Sequence, residues 1–380
     1  MSEWKKVKLG DFISLQRGYD LTKEQIVHGP YPVVSSTSIM GYHDSYKVKA
    51  PGVIIGRSGT LGEVQYVKTN YWPHNTSLFV KDFKGNEPLF VYYFLKNLGT
   101  DIAGGGAAIP TLNRNHLYVL DITTPSLTTQ KRIATVLSHY DFLIENYQQQ
   151  IKLLEEAAQR LYKEWFVDLH FPGHENTKIV DGVPEGWEKT NVNNILTFHR
   201  GYDLTHKEFV DGPYPVVGST SIIGNHNKYK IEGPGVVTGR SGSLGVYQLI
   251  WDNFWPHNTS LFISDFKGHN VFYIYCLLKT VDFTTLNSGG AIPSLNRNML
   301  SSITIMEPSK SLQDTFSGKV MPMFKRQRHL QSQVRLLTEA RDRLLPKLMS
   351  GEISVETAQS VTSGLGVRKE QTGSPKPSDS

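Results

Sequence analysis

Apolar residues along the chain follow two regimes, and each regime occurs twice. In the first, they recur at Ile133, Leu137, Tyr140, Ile144, Tyr147, Ile151, Leu154, Ala158, Leu161 and Trp165, at intervals alternating four and three, and neither Gly nor Pro falls between Gln130 and Trp165. That is a heptad stripe, which predicts one long helix with a seam along one side. A helix of about 36 residues spans roughly 54 Å. The stripe returns at Phe316, Val320, Met323, Leu330, Val334, Leu337, Leu344 and Leu348, with Gln327 and Arg341 standing in seam positions. Pro322 is expected to kink this second helix or delay its start. Two stripes of matching length are expected to pack on each other. In the second regime, residues 4–126 and 187–309, short apolar runs alternate with turn signals. Val53–Ile55, Leu78–Val80 and Val119–Ile122 read as strands, and Gly29-Pro30, Pro51-Gly52 and Gly104-Gly105-Gly106 as turns. Phe90–Leu95 reads as part of a helix. These stretches predict β-rich α+β domains. Beyond Val355 the chain offers almost nothing to bury, and 356–380 is expected to be a disordered tail.

The duplication is literal. Trp72-Pro73-His74-Asn75-Thr76-Ser77-Leu78-Phe79 returns as Trp255-Pro256-His257-Asn258-Thr259-Ser260-Leu261-Phe262, 183 positions later. The same displacement carries Arg17-Gly18-Tyr19-Asp20 onto Arg200-Gly201-Tyr202-Asp203, and Asn113-Arg114-Asn115 onto Asn296-Arg297-Asn298. A repeat this long means two copies of one domain, not a solenoid. The expected molecule is pseudo-two-fold, a symmetry suited to duplex DNA.

Composition narrows the class only slightly. The 380 residues carry a net charge of +5, which permits an anionic partner without requiring one. The basic excess gathers in one place, with eight Lys/Arg against two acids between Lys319 and Lys347. A single cysteine, Cys276, excludes an internal disulfide and a cysteine-based zinc site. The opening residues lack the apolar core of a signal peptide and no run reaches the length of a membrane span, so a cytoplasmic protein without membrane association is expected.

No enzymatic constellation emerges. Gly52-Val53-Ile54-Ile55-Gly56-Arg57-Ser58 is one residue short of a phosphate loop and has Arg where the lysine belongs. There is no HExxH, no Asn-Pro-Pro-aromatic motif for a flipped base, and no Pro-Asp…Glu-x-Lys nuclease pattern. His74 and His257 read as hydrogen-bonded structural residues. The chain is expected to be non-catalytic, with no cofactor and no metal. Residues able to contact bases or phosphates gather on four expected loops per repeat. In the first repeat they are Arg17 and Tyr19, Ser36 and Thr37, Arg57 and Ser58, and Asn113 and Arg114. In the second they are Arg200 and Tyr202, Ser219 and Thr220, Arg240 and Ser241, and Asn296 and Arg297.

Together these residues resemble the specificity subunit of Type I restriction-modification systems. The likeness runs from about Trp4 to Val355. It rests on the domain openings Glu3-Trp4-Lys5…Leu9-Gly10-Asp11 and Pro184-Glu185-Gly186-Trp187-Glu188, and on two Gly-Gly…Pro-x-Leu-Asn segments ending at Asn113 and Asn296. It rests also on the helix start Gln130-Lys131-Arg132-Ile133-Ala134 and on the helix exits at Leu161–Val167 and Arg343–Ile353. In the second repeat that start has become Gln313-Asp314-Thr315-Phe316-Ser317, a departure from the pattern. The resemblance implies target recognition domains at 1–127 and 171–310, each reading half of a bipartite DNA site. Helical spacers at 128–170 and 311–355 would form an antiparallel coiled coil between them. It implies double-stranded DNA, two adenine-methylating modification subunits and, in a larger complex, restriction subunits as partners. Because the repeats differ near their reading loops mainly at Tyr42/Asn225, Asp44/Asn227 and Ser45/Lys228, a near-palindromic target is expected. The alternative is a stand-alone sequence-specific DNA-binding protein such as a repressor, which would need no methyltransferase.

Overall fold

The computed structural model describes residues 4–56, 63–104, 114–239, 245–281 and 303–362. The chain forms two compact units, Met1–Asn146 with Gln333–Ser380, and Tyr147–Ser332. Each contains one β-rich body and half of each long helix.

In the first unit β1 (Lys5–Lys8) pairs antiparallel with β9 (Asp121–Thr124). A four-stranded antiparallel sheet runs β2 (Ser14–Arg17), β8 (Ser77–Asp82), β5 (Gly52–Gly56), β6 (Val64–Val67). Beside it lies a three-stranded sheet, β4 (Ile39–His43), β3 (Tyr31–Val34), β7 (Trp72–Pro73), in which β3 and β7 are parallel. The expected strands Val53–Ile55 and Leu78–Val80 lie in β5 and β8. All five residues of β5 are buried, which is why it reads as an unbroken apolar run. The third expected strand starts later, at Asp121. Its first residues instead close the turn after α3 (Arg114–Tyr118), where the Leu120 amide donates to the Leu117 carbonyl and Val119 faces solvent. Helices α1 (Leu9–Phe12) and α2 (Pro88–Gly104) complete the body, the latter containing the expected Phe90–Leu95.

After a short antiparallel pair, β10 (Ile179–Val180) with β11 (Val183–Pro184), the second unit repeats the plan. The strand pair is β12 (Glu188–Asn191) with β20 (Thr304–Glu307). The larger sheet is β13 (Thr197–Arg200), β19 (Ser260–Asp265), β16 (Gly235–Gly239), β17 (Tyr247–Ile250). The smaller is β15 (Ile222–His226), β14 (Tyr214–Val217), β18 (Trp255–Pro256). Helices α5 (Val192–Ile195) and α6 (Val271–Thr280) correspond to α1 and α2.

Both heptad stripes form helices, α4 (Leu127–Phe166) and α7 (Lys310–Ser350). Of the first stripe, Ile133, Leu137, Tyr140, Ile144, Ala158 and Trp165 are buried, and the remaining members are half-buried. Helix α7 neither breaks nor starts late: it runs from Lys310 through Pro322, whose ring is exposed and which lacks the N–H that would bond the Gly318 carbonyl. Its altered start keeps the one residue that matters locally. The Gln313 side chain, buried like Gln130, donates to the Pro308 carbonyl at 2.9 Å as Gln130 donates to Pro125 at 3.1 Å.

The two polar interruptions of the second stripe face acids on α4. In the first unit Arg341 donates to Asp141 at 2.5 Å, and Tyr93 of α2 donates to the other oxygen of the same carboxylate at 2.5 Å. In the second unit Gln327 and Tyr275 of α6 each donate to Glu155 at 3.1 Å, and Lys279 pairs with it. Contacts 141–341 and 155–327 run in opposite senses along the two helices, so they pair antiparallel. An unpaired acid at either place would be costly, so these contacts discriminate against shifted registers.

In the second unit an aromatic cluster joins both helices to the β-rich body. The Phe316 ring, fully buried, lies 5.1 Å from Phe166, 5.7 Å from Tyr162 and 5.9 Å from Trp165. Phe166 in turn touches Tyr273 of α6 and Trp187, the aromatic residue that opens the repeat.

The chain differs from the sequence-based expectation after Val355. Residues 356–362, expected there to open a disordered tail, belong to helix α8 (Val355–Thr362). Val355 and Ala358 are buried, the Ser354 hydroxyl caps the Thr357 amide, and Arg132 forms an ion pair with Glu356. A composition averaged over the whole tail hides these few anchors. Among the described residues, no helix is long and apolar enough to cross a membrane.

Candidate nucleic-acid interface

The repeated Trp-Pro-His-Asn-Thr-Ser motif is the hub on which the sequence-predicted segments converge. The His74 amide donates to Val34 at the end of β3, and the Tyr19 amide donates to Pro73. The Ser77 carbonyl accepts from Gly18, while Ser77 itself pairs with Gly56 at the end of β5. One strand end therefore gathers Arg17–Tyr19, the Ser35–Ser38 turn and the exit of β5. The second unit repeats every link: His257 to Val217, Tyr202 to Pro256, Gly201 to Ser260, and Ser260 paired with Gly239.

The histidine is structural, as expected. One ring nitrogen of His74 bonds Thr76 at 3.1 Å and the other the Leu21 carbonyl at 3.3 Å, with His257 making the same contacts to Thr259 and Leu204. With both ring nitrogens engaged, the residue braces the loop. Gly18 and Gly201 are required for the crossing. A β-carbon on Gly18 would lie 2.1 Å from the His74 carbonyl oxygen, and on Gly201 2.0 Å from that of His257. Gly201→Ala is therefore expected to cost about 1–3 kcal/mol through forced backbone movement. Gly318→Ala, on open helix surface, should stabilise by up to about 1 kcal/mol. Denaturant titration of the two variants checks the opposite signs; an unchanged Gly201→Ala midpoint would mean that the hub can open freely.

At the surface of the hub the predicted residues take different stations. Arg17 is half-exposed, donates to the Asn75 carbonyl at 3.3 Å, and lies 3.5 Å from Asp20, which also accepts from the Asn75 amide. In the second unit Asp203 likewise takes Arg200, at 3.2 Å, and the Asn258 side-chain amide. Solvent exposure screens each ion pair, so the knot orients the arginine more than it stabilises the fold. Sequence reasoning passed over Asp20, Asn75 and their copies, although both lie inside the identical repeated motifs. Tyr19 turns its ring onto Phe79 at 6.0 Å, and Tyr202 packs on Phe262 at 5.9 Å with Lys230 over its ring, so neither ring is open on both faces. Ser36 and Ser219 are half-buried in the hairpin turns, while Thr37 and Thr220 are exposed. Each turn is held by a glutamine: Gln65 donates to the Ser35 carbonyl at 2.8 Å, and Gln248 to Gly218 at 3.0 Å.

Most of the fourth predicted segment lies outside the described residues in both repeats. Its described member, Arg114, is exposed at the start of α3, which packs on α1 and reaches β2 through Tyr118 at Leu15. Arg57, Ser58, Asn113, Arg240, Ser241, Asn296 and Arg297 lie outside the described residues. Gly56 and Gly239, which precede Arg57 and Arg240, do end at the hub.

The chain is similar to several known proteins. It is 28% identical over 314 residues to the Type I restriction enzyme MjaIX specificity subunit of Methanocaldococcus jannaschii, an alignment covering 74% of this chain and 72% of that one. It is 22% identical over 330 residues to the HindI specificity subunit of Haemophilus influenzae, covering 64% and 71%. Its fold matches that of the S subunit of a type I restriction-modification system from M. genitalium with a TM-score of 0.63 at 21% identity, over 91% of this chain and 96% of that one. The model of the Type I restriction modification DNA specificity domain matches residues 1–156 and again 184–318. With both repeats matched, this chain belongs to the type I restriction-modification DNA specificity family and carries that domain twice.

Proposed function

We propose that each hub reads one half of a bipartite duplex site, and that the chain directs the chemistry of other subunits without catalysing it. The observation that carries this reading is the duplicated convergence of an oriented arginine, a hydroxyl-bearing hairpin turn and the β5 or β16 exit on one strand end. Arginine, serine and threonine suit base edges and phosphates, and loops on a rigid sheet hold them in place. Two modification subunits that methylate adenine are the proposed partners, joined by restriction subunits in a larger assembly. Helices α4 and α7 would act as the spacer between half-sites.

Reconstitution tests the reading. The purified chain alone should transfer no methyl group from S-adenosylmethionine to DNA and cut no DNA. Mixed with the modification subunit from its own cell, it should confer adenine methylation at one split sequence. Methylation by the chain alone, or a modification subunit whose target is unchanged by adding this chain, would overturn it.

A further inference from the structure

Each unit exposes apolar side chains where a soluble surface would ordinarily carry polar ones, and does so at matching positions. Ile39 and Met40 are 50% and 40% exposed, and their copies Ile222 and Ile223 are 56% and 41% exposed. Single exposed apolar residues are commonplace, but adjacent pairs repeated on two copies of a domain mark a contact surface. The pairs follow the Ser35–Ser38 and Gly218–Ser221 turns, hence stand at the hub end of the hairpin, beside exposed Thr37 and Thr220.

A bulge produces the pairing. Val34 opposes Ile39 and Val33 opposes Gly41, which leaves Met40 as the extra residue; Ile223 is left out in the same way between Ile222 and Gly224. In a regular strand, successive side chains point to opposite faces, and one of the two would turn inward. The bulge breaks that alternation, so both residues stay exposed. Among the described residues, strands β4 and β15 are also sheet edges, uncovered by a further strand.

We propose that Ile39 and Met40, and likewise Ile222 and Ile223, read thymine by packing against its C5-methyl group. A two-stranded ribbon fits the major groove, and the thymine methyl is the one apolar feature displayed there. Flanking hydroxyls on Thr37 and Thr220 would serve the neighbouring polar edges. This inference rests on the bipartite-reading proposal above. That proposal also supplies the ligand, because a half-site methylated on adenine contains at least one A·T pair and hence one thymine.

The test uses the chain assembled with its modification subunits, and duplexes carrying its mapped site in which thymines are replaced one at a time by deoxyuridine, which lacks only the methyl group. For the native chain, at least one replacement in each half-site should weaken binding about four-fold, the ratio expected for burying one methyl group. In the double variant Ile39→Ala, Met40→Ala that sensitivity should vanish in one half-site and persist in the other. Ile222→Ala with Ile223→Ala should reverse the pattern. Native binding indifferent to every replacement would overturn the inference, and this arm needs no variant to fold. So would sensitivity that survives in both variants, or variants that keep it and lose only the modification subunit, since the apolar pairs would then be a protein-docking surface. Absence of any site-specific binding would instead remove the underlying proposal, and this inference with it.

Discussion

Removing one heptad from both long helices at once is expected to move the recognised site to a spacer about three base pairs shorter. Seven residues of helix are about 10.5 Å, and base pairs stack about 3.4 Å apart. The matched segments are Gln148–Leu154 in α4 and Arg328–Val334 in α7. They lie between the Asp141–Arg341 and Glu155–Gln327 contacts, so both polar pairs survive the deletion. Arg335 would also take the place of Arg328 opposite Asp252, and Leu337 that of buried Leu330. Binding to the original spacing should fall at least about 100-fold, because both half-sites could no longer be engaged together. Deleting Gln148–Leu154 alone should be worse for folding, since Asp141 and Glu155 would no longer both meet their partners on α7. Electrophoretic mobility shifts with a ladder of spacer lengths would check this; unchanged preference for the native spacing would show that the helices do not measure it.

Phe316→Ala is expected to cost about 3–5 kcal/mol in the second unit, the range for truncating a fully buried aromatic residue. The ring touches both long helices' ends through Tyr162, Trp165 and Phe166, so no single neighbour can move in to fill the space. The position equivalent in the first unit is Ile133, which is also buried. Phe316→Leu, which keeps most of the volume, should lose much less. Denaturant unfolding of the two variants measures the difference; equal midpoints would mean that the cluster is not what holds this end of the helices together.

Much of this organisation was legible because it is periodic. The heptad stripes and the 183-residue repeat required only spacing, and the buried strands β5 and β8 announced themselves as apolar runs. Pro322 misled because one lost backbone bond weighs little against the packing of the whole seam: Phe316, Val320, Phe324 and Leu330 are buried on either side of it, while its own ring stays at the surface. Gln327 and Arg341 looked like faults in the seam. Their meaning depends on Glu155 and Asp141, some two hundred residues away, which no local pattern connects to them. The hub was legible in its parts but not in its assembly. Arg17, Ser36 and the β5 exit are brought together by backbone bonds around His74 and Ser77, and long-range pairing of that kind leaves no trace in a single sequence. Nothing in the sequence alone sets the apolar pairs Ile39-Met40 and Ile222-Ile223 apart; it is the bulge that leaves both members exposed.

Two copies of one recognition domain should read two copies of one half-site, and mapping methylated adenines across the genome of a cell carrying this chain tests that most directly. The expected motif is a pair of short half-sites in inverted orientation, separated by a fixed number of unread base pairs. Any asymmetry should trace to Tyr42/Asn225, Asp44/Asn227 or Ser45/Lys228, or to Met40/Ile223, which also differ on the reading hairpins and their exits. A contiguous target, or two unrelated half-sites, would contradict it.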